Sequence, residues 1–140
     1  MRKIIIAIVA LTVLLGACSD KSAFDLEVGD CFDDPSSFEE VESVPIKECA
    51  DPHDNEVYAN STMSGTSWPG VAAVEEFADE ACYTEFERYV GIAYEDSLLE
   101  FGWLVPTEAS WAEVDDRTVT CIVYNLDLSK MTGSMQGVAL

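Results

Sequence analysis

From Val71 onward the apolar positions fall three and four apart: Val71, Val74, Phe77, Ala78, Ala81, Cys82, Phe86 and Tyr89. At about 100° per residue they share one broad face, while Glu76, Asp79, Glu80, Tyr83 and Glu87 fall on the other. The spacing predicts a single long helix over Trp68 to Gly91. Ser67 and Pro69 suit its start, because Pro pre-sets the backbone angle where its missing N–H is not needed. Glu75 and Glu76 are expected in the first turn, where the helix dipole favours anions. Arg88 suits the last turn, and Gly91 can take the left-handed closing position. Glu75 and Glu85 narrow the apolar face, and Cys82 points into its middle.

On either side the pattern shortens to period two. Phe24 to Val28 alternates, and Gly29-Asp30 then turns the chain. Val41 to Cys49 alternates again, with Pro45 confining it to a sheet edge. Glu56 to Met63 reads as a strand. Leu98 to Val105 is stronger: Leu99, Phe101, Trp103 and Val105 share one face, and Pro106 ends it. Thr107 to Ala112 suits one helical turn with Thr107 as its cap. Arg117 to Tyr124 is apolar or β-prone on both faces, as a central strand would be. From Ser129 the chain is rich in Met, Gly and Ser and reads as loose, with a flexible tail over 135–140. The expected architecture is α+β: a mainly antiparallel sheet of four to six strands with one principal helix packed on one face, held by two disulfides.

The N-terminus changes the picture. Arg2 and Lys3 precede an apolar run from Ile4 to Leu15, too short for a comfortable membrane span and right for a secretory segment. Leu15-Gly16-Ala17-Cys18 resembles the lipobox of bacterial lipoproteins, in which the Cys becomes the lipidated first residue. The expected organisation is a signal peptide over 1–17, a polar tether over 18–23 and one domain over 24–134. The expected location is the extracytoplasmic face of the cell membrane, reached through the lipid on Cys18.

All 27 acidic residues lie after residue 17, with only five bases: Lys21, Lys47, Arg88, Arg117 and Lys130. That gives the exported part a side-chain charge of −22. Such a surface repels nucleic acid and anionic head groups, so no nucleic-acid partner is expected. Export also bears on the cysteines. With Cys18 lipidated, Cys31, Cys49, Cys82 and Cys121 form an even set in an oxidising compartment. Of the three pairings, Cys31–Cys49 joins sequence neighbours across one loop, and Cys82–Cys121 would bolt the helix to a central strand. There is no C-x-x-C, and the spacings match no zinc pattern.

The order of landmarks then becomes recognisable. Val28-Gly29-Asp30-Cys31-Phe32, Cys49-Ala50-Asp51-Pro52-His53-Asp54-Asn55-Glu56-Val57, Trp68-Pro69-Gly70, Cys82, Tyr89-Val90-Gly91, Pro106-Thr107, Trp111, Asp116-Arg117 and Cys121 resemble the septum formation-related domain of actinobacteria. One departure is Asp115, where that pattern leads one to expect Gly before the Asp-Arg turn. The resemblance implies an exported or membrane-tethered domain associated with the division septum. It implies no reaction, cofactor or catalytic residue.

Candidate chemistry is sparse. His53 is the single histidine, and its spacing to Glu56 suits a carboxylate-oriented imidazole, the beginning of a general base. No nucleophile motif accompanies it. A structural role in the Pro52 turn is the more economical expectation. Asp30, Asp33 and Asp34 lack the spacing of an EF-hand loop and read as a solvated turn. Trp68 and Trp111 sit at loop–helix junctions and could line a binding surface, whereas Trp103 is in phase with the core. Arg117 has Asp115 and Asp116 beside it and is expected to pair locally. The expectation is a non-enzymatic binding or scaffold protein of the cell envelope, with no cofactor or metal. Its partner would be an unknown envelope protein or cell-wall component. The alternatives are an envelope hydrolase using His53 and Glu56, or an acidic domain that binds a basic peptide as inhibitor or sensor.

Overall fold

In a computed structural model, which describes residues 19–37 and 41–140, the chain forms one six-stranded sheet with a long helix on one face. The expected signal segment and Cys18 lie outside the described residues. The strands are β1 (Asp20–Ser22), β2 (Cys31–Phe32), β3 (Ser43–Lys47), β4 (Asn55–Thr62), β5 (Leu99–Leu104) and β6 (Thr118–Asn125). The helices are α1 (Val71–Val90) and the short α2 (Glu108–Glu113). The sheet order is β1-β3-β2-β4-β6-β5, and every neighbouring pair is antiparallel.

Alternation along β6 decides which face meets α1. Val119, Cys121 and Val123 are fully buried with Val74, Ala78, Cys82, Phe86 and Val90 of the helix. Ile122 points the other way, into a smaller cluster with Leu26, Phe32, Val44 and Val57. β6 lies between β4 and β5, in the interior position expected of it. Cys82–Cys121 joins the helix stripe to this strand, and Cys31–Cys49 joins β2 to the turn after β3. Closing loops of these lengths contributes roughly 3 kcal/mol for the shorter and 4 kcal/mol for the longer on the chain-entropy account.

Several expectations are corrected. α1 begins at Val71, not Trp68: Gly70 is its cap residue at φ 94°, with no side-chain cap from Ser67. Glu75 and Glu76 therefore lie beyond the first turn, and Val71, expected on the apolar face, is exposed. The fully buried stripe is the i, i+4 series Val74 to Val90, narrower than the predicted face. Gly91 does close the helix in the left-handed conformation, its N–H donating to Glu87 O at 2.9 Å.

Phe24 to Val28 is not a strand. The first strand is β1, inside the expected tether. The chain then turns because Asp30 Oδ2 accepts from Glu27 N at 2.8 Å and from Lys21 Nζ at 2.7 Å. β3 is not an edge either, since β1 pairs outside it with Asp20 opposite Pro45. Pro45 is tolerated there because β1 is only three residues long, and the next N–H, of Ile46, reaches Ser19 O at 3.2 Å. β4 carries a bulge between Val57 and Ala59, so Val57, Tyr58 and Ala59 are buried in succession where simple alternation was expected.

The C-terminal segment departs most from expectation. The last carbonyls of a helix lack intrahelical donors. Here the tail supplies them: Gly137 N–H donates to Tyr89 O at 2.8 Å and Ala139 N–H to Val90 O at 2.9 Å. Met131 and Met135 are buried in the core. The segment expected to be loose is thus packed along the end of α1.

Candidate functional site

His53 and Glu56 are both fully buried, yet the structure does not pair them. His53 is held by its backbone, which exchanges hydrogen bonds with Met131 at 3.0 and 2.8 Å. Its Nδ1 lies 2.8 Å from Asp51 O, so Nδ1 carries the proton and donates. Nε2 is buried with no hydrogen-bond partner. Glu56, opposite Cys31 on β2, turns its carboxylate toward α1 and the tail. It accepts from Tyr89 Oη at 2.7 Å, Ser134 Oγ at 2.5 Å and Met135 N at 2.6 Å. Burial, together with donation to Glu56, pushes the Tyr89 phenol up to about 12. The carboxylate that would orient an imidazole is instead the clasp joining β4, α1 and the tail. Cys31 and Cys49 lie near Glu56, but their sulfurs are bonded to each other and offer no thiolate to a metal.

The second candidate group, Trp68, Trp111 and Arg117, does come together. The two indoles meet edge to face with centroids 5.5 Å apart. The Arg117 guanidinium lies 3.7 Å from the Trp111 ring centre, donates to Gly65 O, Trp111 O and Asp116 O, and pairs with Asp115 at 2.8 Å. Trp111 is buried, and its Nε1 donates to Thr66 O at 3.3 Å. These contacts pin α2 and the start of β6 to the loop before α1. Arg117 pairs locally, as expected, and Trp111 has no open face for a ligand.

The loop carboxylates are likewise engaged. Asp30 pairs with Lys21, and Asp34 accepts from Asn55. Burial pushes Asp33 up, but its contacts with Lys130 and Lys47 outweigh this and hold it below the usual carboxylate range.

Open surface lies elsewhere, on the sheet face opposite α1. A groove of about 590 Å³ runs between the turn after β1 and α2, lined by Phe24, Glu42, Leu104, Val105, Glu113 and Val114 among others. A second, of about 370 Å³, lies over Gly102, Ile122 and Tyr124, and Trp103 borders both. Sequence reading missed the lips of the first groove. The one signal was apolar side chains at the ends of short elements, Phe24 after β1 and Val114 after α2, where nothing local covers them.

Comparison with known proteins then places the chain. A family model described as septum formation matches residues 28–139. The chain belongs to the septum formation family. No curated protein and no solved structure matches it. The septum formation match covers both disulfides, the Glu56 clasp, the tryptophan–arginine cluster and the packed tail through residue 139. The Gly expected before the Asp-Arg turn now has a physical reason. Asp115 sits at φ 56°, in the left-handed region that Gly enters freely and Asp tolerates.

Proposed function

We propose that this septum formation family member is exported and lipid-anchored, and that it acts at the outer face of the cell membrane as a binding or scaffold module in septum formation or wall assembly. It performs no reaction of its own. The family match over residues 28–139 carries the reading. The lipobox-like Leu15-Gly16-Ala17-Cys18 after a short apolar run supports the anchor. Two disulfides among the described residues suit an oxidising compartment. The large negative charge leaves the acyl chains as the membrane contact, because the protein surface repels anionic head groups.

Two measurements in the native cell test this. Metabolic labelling with a radioactive fatty acid is expected to mark the wild-type chain and not Cys18→Ala. A strain lacking the gene is expected to show misplaced or missing septa, restored by the wild type and not by Cys18→Ala. Labelling that persists in Cys18→Ala overturns the anchor, and normal septa in the deletion strain overturn the septal role.

A further inference from the structure

The groove beneath α2 has the same composition on both lips. On one side stand Phe24, 57% exposed, and Glu42; on the other stand Val114, 62% exposed, and Glu113. Leu104 and Val105 lie between them. Each lip thus offers an uncovered apolar side chain beside a carboxylate. The volume is in the range of sites that hold small ligands or a few side chains of a partner.

No described residue forms an ion pair with these carboxylates. Among the described residues every Lys and Arg is already committed: Lys21 to Asp30, Lys47 to Asp33, Arg88 to Glu85, Arg117 to Asp115, and Lys130 to Asp33 and Asp54. None of them lines the groove. Asp116, the third acid of its lining, is engaged locally by Ser110 and by the Thr118 N–H. Glu42 and Glu113 make no ion pair among the described residues. The net charge of −20 draws cationic segments toward the surface and repels acidic ones.

We propose that this groove binds a short, extended, basic segment of a partner protein. Its Lys or Arg side chains meet Glu42 and Glu113, and its apolar side chains pack on Phe24, Val105 and Val114. This deepens the scaffold reading above and rests on it, giving the scaffold a recognition site. The sheet has two edges, the three-residue β1 and β5, and strand addition at β5 is the other route by which an extended peptide docks. The start of that edge is covered from within: Ser97 Oγ accepts from Leu99 N and Glu100 Oε1 from Phe101 N, both at 3.0 Å. The groove on the sheet face is the open route.

The test is a fluorescence titration of the full-length protein in detergent micelles. The probe is a labelled six-residue peptide alternating Lys and Leu, set against Glu-Leu and Lys-Ser peptides of the same length. The Lys-Leu peptide is expected to bind, and the other two more weakly. Replacing Glu42→Gln, Glu113→Gln and Val114→Ser together is expected to weaken it about tenfold, from two ion pairs and one apolar contact. Glu76→Gln with Glu80→Gln, which removes the same charge from the exposed side of α1, is expected to leave binding within about twofold. Equal weakening by the α1 control overturns the proposal in favour of general charge attraction. No effect of the groove variant, or no binding by the wild type, overturns it outright. All these outcomes leave the fatty-acid labelling and the septum phenotype unchanged, so the failure of the groove and the failure of the septal reading are distinguishable.

Discussion

On the α1 side of the sheet, Val119, Cys121 and Val123 meet Val74, Ala78, Cys82, Phe86 and Val90, and none of these side chains reaches solvent. On the opposite side, the neighbouring positions Leu104, Thr118 and Thr120 line an open groove. β6 supplies side chains to both surfaces, because successive residues of a strand point to opposite faces. One face is closed by a disulfide, a carboxylate clasp and the tail. The other is left to α2 and the turn after β1, which are too short to cover it. Stability is thus concentrated on the α1 face, and the proposed recognition falls to the face that contributes less to the fold.

The hardest test of that division is to cut the bolt between α1 and β6. Replacing Cys82→Ala together with Cys121→Ala is expected to cost about 4 kcal/mol or more, because the unfolded chain regains the freedom of that loop and the core is left underpacked around the missing sulfurs. Cys31→Ser with Cys49→Ser, which frees β2 from the turn after β3, is expected to cost about 3 kcal/mol. Urea unfolding followed by circular dichroism measures both. A larger loss from the second pair would show that the bolt between α1 and β6 is not where the fold is most firmly held.

A smaller effect is expected at the clasp. Glu56 accepts three hydrogen bonds, and Gln in its place turns an amide N–H₂ toward groups that donate. Glu56→Gln is expected to cost about 2 kcal/mol, and Tyr89→Phe, which removes one donor, about 1 kcal/mol. The Met135 amide, which donates to Glu56, should exchange with deuterium faster in Glu56→Gln than in the wild type. Unchanged exchange there would mean that the tail is held by its backbone bonds, among them those to Tyr89, Val90 and His53, and not by the clasp.

The sequence foretold the bolted face better than the open one, and the reason is periodicity. Cys82 lies in a 3.6-residue pattern and Cys121 in a two-residue pattern, each flanked by residues that must be buried, so their phases alone aim them at each other. His53 and Glu56 were three apart on a turn leading into a strand. No such pattern says where a turn side chain points, and Glu56 was claimed by Tyr89 and Ser134, distant in the chain. The tail was misread for a related reason. Its Met, Gly and Ser look loose by composition, but the unmet carbonyls of Tyr89 and Val90 create a demand for donors that only the assembled helix end reveals. The groove lips were illegible because Phe24 and Val114 come together only once the sheet places the turn after β1 beside α2.

The finest test sits at the junction of the two regions, in the turn between α2 and β6. Asp115 holds φ 56°, a conformation that costs a non-glycine residue about 1–2 kcal/mol and Asp toward the lower end of that range. Its ion pair with Arg117 offsets little of this, because the Asp115 side chain is 89% exposed and such pairs contribute at most about 1 kcal/mol. Arg117 keeps its three carbonyl partners and its stacking on Trp111 without Asp115. Asp115→Gly should therefore relieve the backbone and lose a weak pair, while glycine gains freedom in the unfolded chain. The net expectation is a stabilisation of about 0.5 kcal/mol, with Asp115→Ala, which keeps the strain and loses the pair, destabilised by a similar amount. Urea midpoints of the two variants measured side by side decide it. If Gly and Ala fall equally below the wild type, the pair with Arg117 matters more than the backbone in holding the turn.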